Sequence, residues 1–147
     1  MTISYAEDAT GASADRVRRS TAMHLNQEID RQTDSNIRHY ADAGREAMQE
    51  RIAQLDNEWD VERALEVTAS TLALTGLALG IAVDKKWLAV PAVVLSFLLQ
   101  HGVQGWCPPL PILRRLGIRT RGEIDSEKYE LKAALDAHKI VSVQENQ

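Results

Sequence analysis

The side chains best equipped for chemistry lie close together in this 147-residue chain: Gln100, His101 and Gln104, then Cys107, then Arg114 and Arg115. Cys107 is the only cysteine, so it can join neither an internal disulfide nor a Cys-rich zinc site. A lone thiol can accept sulfane sulfur or exchange redox equivalents when nearby cations favour its thiolate, and Arg114 and Arg115 are the candidates for that role. Against this, Cys107 closes an apolar run that reads as a helix, and the dipole at a helix C-terminus disfavours an anion. A solitary cysteine also commonly serves as a small apolar packing residue. His101 suits a gate or a proton site, with Gln100 and Gln104 on a shared helical face beside it as the lining of a path for a small anion, but so close to Trp106 the stronger reading is that these groups bond to the neighbouring helix, to water or to headgroups. No serine, histidine or carboxylate sits in a nucleophile elbow or at metal-ligand spacing, so the sequence points to no catalytic residue, no metal and no cofactor.

The elements that position these residues are written in the distribution of charge. Hydrophobic residues make up 44% and charged residues 26%, averages that describe an ordinary soluble protein. Yet residues 67–113 hold only Asp84, Lys85 and Lys86 from the Asp, Glu, Lys and Arg set. Residues 67–83 form a run of 17 without charge, at the short end of the roughly 17–25 residues that span a bilayer. After the Asp84-Lys85-Lys86 turn, residues 87–106 supply a second run whose one titratable group is His101. Trp87 and Trp106 are 19 residues apart. At 1.5 Å per residue a helix between them covers roughly 28 Å, close to the ~30 Å hydrocarbon core, which places both tryptophans in the interfacial aromatic belts.

The expected fold is therefore all-α: a membrane protein with a two-helix transmembrane hairpin, about 64–83 and 87–106, flanked by cytoplasmic amphipathic helices. A pair of buried helices in a soluble protein is the alternative, but the rest of the chain offers too little apolar surface to surround them. Pro91 falls near the first turn of the second helix, where its missing N–H is tolerated, and Pro108, Pro109 and Pro111 are expected to stop that helix. Flanking Lys and Arg number six on the terminal side against two in the turn, so both termini are expected in the cytoplasm. The first helix carries Gly76 and Gly80 in GLALG, with Ala69 and Ala73 as a second pair of small residues at the same spacing. This spacing lets two helix backbones approach closely, and the partner helix is either the second span or a second copy in a homo-oligomer.

The net charge of −4 and the absence of a clustered basic surface exclude nucleic acid as a partner. The lipid bilayer is the first partner expected, and an unknown protein bound through the cytoplasmic helices the second. Residues 1–13 read as disordered. Residues 14–63 form a polar helical region with too few apolar residues for a core of its own, in which Ile37, Ala41, Met48, Ile52, Leu55 and Trp59 recur at helical spacing. That stripe suits a coiled coil with a second copy, a helix along the membrane, or packing against the C-terminal helix. Residues 107–119 form a Cys-Pro and basic juxtamembrane segment, in which Arg114 and Arg115 join Trp87 and Trp106 as interface anchors and Gly117 is a helix stop. Thr120 and Glu123 have capping-box spacing and open a helix over 120–142 through Ile124, Leu131 and Leu135; 143–147 is a tail.

The hairpin followed by GWCPPLPILRRLG resembles the YgaP-like transmembrane domain family, whose second helix ends in a similar Gly-aromatic-Cys-Pro segment. The match covers roughly residues 60–117, and the flanking NEWDVERALE and RTRGEIDSEKYELKA look like bacterial members with helical flanks. The resemblance implies a small protein of the bacterial inner membrane. A related hairpin anchors a rhodanese domain, which implies sulfur handling, but this chain has no βα-repeat pattern and no active-site loop of that kind. Only the anchor and the position of Cys107 carry over.

Overall fold

The computed structural model describes residues 13–145, and all regular structure among them is helical. The expected disordered N-terminus falls, except for its last residue, outside the described residues.

The apolar middle forms the expected hairpin. After α1 (Ser13–Arg19), α2 (Met23–Ala43) and α3 (Arg45–Asn57), helix α4 spans Val61–Ala82, a 3-10 turn covers Lys85–Leu88, and α5 spans Ala89–Gln104. Local chemistry sets the ends. The Asp60 carboxylate accepts from the Arg63 amide at 2.7 Å and caps α4, satisfying an amide that the helix itself cannot pair. Asp84 does the same for the 3-10 turn, accepting from the Lys86 amide at 2.8 Å. The prolines do not end α5. Gly105 does, three residues before Pro108, in the left-handed conformation at φ 74°, its N–H donating to the His101 carbonyl. Pro109 and Pro111 instead lie at the start of α6, Leu110–Arg115, where a missing N–H costs nothing.

The GLALG motif belongs to the hairpin itself. Gly76 and Gly80 are buried, and Ala69 and Ala73 are half-buried on the same face of α4. A Cβ added at Gly76 would stand 2.7 Å from Pro91 Cδ and 2.8 Å from Val90 Cβ, and one added at Gly80 would stand 2.5 Å from Leu88 Cδ2. The backbone of α4 thus lies against the start of the second helix at a separation that only glycine permits. Outside this seam the hairpin stays bare: Leu74, Ile81, Leu99 and Val103 are all more than 60% exposed. Both apolar helices are long and apolar enough to cross a membrane, and none of the apolar window of the second is buried inside the protein.

The polar flanks fold together into a helical layer at the base of the hairpin. It contains α1 (Ser13–Arg19), α2 (Met23–Ala43), α3 (Arg45–Asn57), α6 and α7 (Arg121–Glu145). The amphipathic stripe breaks at Gly44, whose φ of 96° favours glycine, so the chain turns between α2 and α3. Of the three arrangements open to that stripe, the structure has the packing against the C-terminal helix. Met48 and Leu55 are buried with Ile124 and Leu131 of α7, and Tyr40, Ala41, Ile52 and Leu135 pack around them. Trp59, the last residue of the stripe, is 48% exposed. A second core of Val17, Val61, Leu65, Cys107 and Leu110 joins the layer to the base of α4. Each such aliphatic side chain contributes about 1.5–3 kcal/mol on full burial. Residues 14–63 therefore gain a core only because α6 and α7 complete it, and α7 runs on into the expected tail as far as Glu145.

Candidate functional site

The polar residues of the layer meet on one edge of α7. The capping box forms as its spacing requires: the Thr120 amide donates to Glu123 Oε2 at 2.8 Å, and the Glu123 amide donates to Thr120 Oγ1 at 3.3 Å. Glu123 does more than cap. Arg114 Nη1 and Nη2 donate to its two carboxylate oxygens, each at 2.7 Å, and Arg18 Nη1 donates to Oε1 at 2.6 Å. Arg18 also forks onto Asp30 with two bonds of 2.9 Å, while Arg114 Nη2 donates to Asn26 Oδ1 at 2.9 Å. Burial on its own would raise the Glu123 carboxyl, but Arg114, the Thr120 amide and Arg18 outweigh it and hold the group below its usual 4.5.

One turn further along α7, Glu127 repeats the arrangement. Its fully buried carboxylate accepts from Arg51 Nε at 2.8 Å and from Arg119 Nη1. Arg119 also forks onto Glu58 with two bonds of 2.8 Å and donates to Thr33 Oγ1 at 3.2 Å, while the Arg51 guanidinium lies 5.4 Å from the centre of the Tyr40 ring. Glu58 and Glu127 keep Arg119 above its ordinary value although burial works the other way. The two clusters tie α1, α2 and α3 to α6 and α7 with planar, bidentate pairs of the strongest kind.

This geometry corrects the role expected for Arg114. Its side chain is 0% exposed and committed to Glu123 and Asn26, so it is not a headgroup anchor. Arg115 remains exposed, as do Trp87 and Trp106 at 45% and 38%. The sequence reading took Arg51 and Arg119 only as flanking positive charges, missed Glu123 as an ion partner, and gave no role to Glu127, Arg18 or Glu58. Their partners lie as many as 105 residues apart, beyond any local pattern. One signal was available: Glu127 falls on the same face of α7 as Thr120, Ile124 and Leu131, and a charge inside an apolar stripe requires a partner.

Cys107 is 2% exposed among Val17, Val61, Leu65 and Leu110. Burial pushes its thiol above the ordinary 9.0, against a smaller opposing hydrogen bond from the Leu110 backbone. Arg114, the nearer of its two expected cationic neighbours in sequence, is engaged with Glu123.

The expected polar trio divides between two faces. Gln100 Nε2 donates to Gln104 Oε1 at 3.4 Å on an exposed stretch of α5. His101 turns toward α4, where it lines a cavity of about 170 Å³ together with Leu65, Thr68, Leu98 and Cys107. Among the described residues no group of three His, Cys, Asp or Glu side chains is placed to hold a metal ion.

Comparison of the chain with family models, with curated proteins and with solved structures gives no match.

Proposed function

We propose that this is a small bacterial inner-membrane protein in which α4 and α5 cross the bilayer and the helical layer works as a cytoplasmic interaction module. One observation carries this reading: a second apolar helix whose window is 0% buried, beside a layer that has a complete core of its own. A core helix of a soluble protein would be mostly covered. Here lipid supplies the cover, because nothing else in the fold does.

The dimensions agree. The first turns of α4 are taken up by the lower core through Val61, Ala64 and Leu65, which leaves residues 66–82 free. At 1.5 Å per residue these 17 residues reach roughly 26 Å, and the 16 residues of α5 reach roughly 24 Å, near the hydrocarbon thickness. With the arginine-rich layer inside, Lys85 and Lys86 mark the outer turn and both termini are cytoplasmic.

With Gly76 and Gly80 occupied inside the hairpin, a second copy or another protein meets the chain through the layer, which leaves Met23 and Tyr129 exposed at 75% and 67%. The buried, raised thiol of Cys107 favours this anchoring role over sulfur transfer, and the separation of His101 from Gln100 and Gln104 favours it over a conduit. Washing membranes with alkaline carbonate tests the reading. The chain is expected to stay in the membrane pellet with integral proteins, and its release into the supernatant would refute a transmembrane hairpin.

A further inference from the structure

Helix α6 has apolar side chains on two sides, and the fold covers one of them. Leu110 and Arg114 are buried, and Leu113 packs against the lower core. Ile112 and Leu116, four residues apart on the opposite side, are 60% and 72% exposed, with Arg115 exposed beside them. Two neighbours fix the height of this helix on the hairpin. Pro109, just before α6, lines the same cavity as Leu65 and Thr68 of α4, and shortly after α6 the Arg119 carbonyl accepts from the Val61 amide at 2.9 Å. The segment therefore lies between the levels of Val61 and Thr68, roughly 10 Å along α4. This is the height at which α4 leaves the lower core, so α6 flanks the foot of the bare part of the hairpin.

Other exposed apolar groups gather near this height. Trp106 stands between α5 and α6, and Trp59 stands just before α4 with its ring centre 4.6 Å from the Arg63 guanidinium. The charge beside them is basic and uncommitted. Arg121 is taken up by Asp125 at 3.5 Å and Asp60 at 4.0 Å, whereas Arg63 and Arg115 are exposed and, among the described residues, make no ion pair. Large apolar side chains next to free arginines suit a surface that is hydrocarbon on one side and anionic on the other. The headgroup region of a bilayer has that character and is roughly 5–8 Å deep on each side, close to the height of α6. Unpaired arginines also favour an anionic headgroup over a zwitterionic one.

We infer that α6 is a lipid-binding face of the helical layer: it lies in the headgroup region of the bilayer, with Ile112 and Leu116 turned toward the acyl chains and Arg63 and Arg115 on the phosphates of anionic phospholipid. The inference rests on the membrane reading and adds to it a docking surface outside the hairpin, which fixes the layer against the membrane.

Spin labels on the full-length chain test it, in vesicles of phosphatidylcholine and phosphatidylglycerol, with Cys107→Ala and one new cysteine at a time. The positions are Ile112→Cys and Leu116→Cys on α6, Leu74→Cys on the bare hairpin and Glu46→Cys on α3, all exposed, so a label displaces nothing in the core. Relaxation by oxygen relative to a water-soluble nickel chelate reports depth. Both α6 labels are expected to give a ratio between those of Leu74→Cys and Glu46→Cys. A ratio equal to that of Glu46→Cys would overturn the inference, and with Leu74→Cys still shielded from nickel the failure belongs to α6 and not to the hairpin. Shielding of the α6 labels from both reagents, with dipolar broadening between labels, would mark a second copy on this face and would also overturn it. Spin-labelled lipids then read the headgroup. Phosphatidylglycerol is expected to associate with the chain more strongly than phosphatidylcholine, and Arg63→Gln with Arg115→Gln is expected to cut that preference about fivefold, the weight of one basic side chain near an anionic surface. An unchanged preference in the double variant would overturn the assignment to anionic lipid.

Discussion

Glu123→Ala is expected to destabilise the helical layer by about 3–5 kcal/mol, the cost of leaving a buried charge without its partner. Arg114 is the reason. Its guanidinium is 0% exposed and its two bonds to Glu123, each 2.7 Å, are what offset its removal from water. The total stability of a domain this size is about 5–15 kcal/mol, so the substitution takes a large share of it. Glu123→Gln keeps an acceptor for the Thr120 amide and is expected to recover only the capping part, about 1 kcal/mol. The double variant Arg114→Met with Glu123→Leu removes both charges and should regain most of the loss, because a buried pair replaced by apolar groups of similar volume is near neutral.

The same carboxylate sets a pH dependence. Its folded value lies below the unfolded 4.5, so its contribution is complete above that pH and is lost as pH falls from there through the folded value. Chemical denaturation in micelles, followed by the loss of helical circular dichroism between pH 7 and 3, measures both effects. A Glu123→Ala chain as stable as the parent at pH 7 would mean that the ion cluster does not hold the layer together.

Gly76→Ala and Gly80→Ala are expected to cost about 1–3 kcal/mol each, the usual penalty of overpacking, and to leave the oligomeric state in micelles unchanged. The new methyl at residue 76 meets Pro91 and Val90, and the one at residue 80 meets Leu88, all within the same chain. The Pro91 ring and the Val90 Cβ cannot move aside as the tip of the Leu88 side chain can, so the larger of the two costs is expected at residue 76. Unfolding in denaturant, paired with light scattering on the same samples, separates the two readings of the motif. Lost oligomers at unchanged stability would return GLALG to an interface between copies.

Much of the hairpin was legible because its signals are local. Uncharged runs, the Asp84-Lys85-Lys86 turn and a proline in the first turn of the second helix each act within a few residues. The capping box at Thr120 and Glu123 and the stop at Gly117 were legible for the same reason, and both have the expected geometry. The end of α5 was misplaced because proline and glycine both break helices and Gly105 comes first. The owner of the glycine motif was not legible, since small-residue spacing marks a close approach and not the helix that makes it.

The arginines after the second apolar helix show the deeper limit. Arg114, Arg115, Arg119 and Arg121 look alike as a basic cluster in sequence, yet Arg114 and Arg119 are buried in ion pairs while Arg115 and Arg121 are exposed. What separates them is the position of Glu58, Glu123 and Glu127 in three dimensions. The alternation of polar and apolar residues along α7 gave a hint of that arrangement, and no local pattern gave the pairs.

The most direct test of the account is sided labelling in intact cells, with Cys107 replaced by alanine and one new cysteine placed at a time. Lys85→Cys, in the hairpin turn, is expected to react with a membrane-impermeant maleimide added outside, while Glu46→Cys, exposed on α3, should react only after the membrane is permeabilised. Equal reactivity of the two positions before permeabilisation would contradict a hairpin that crosses the membrane with its helical layer inside.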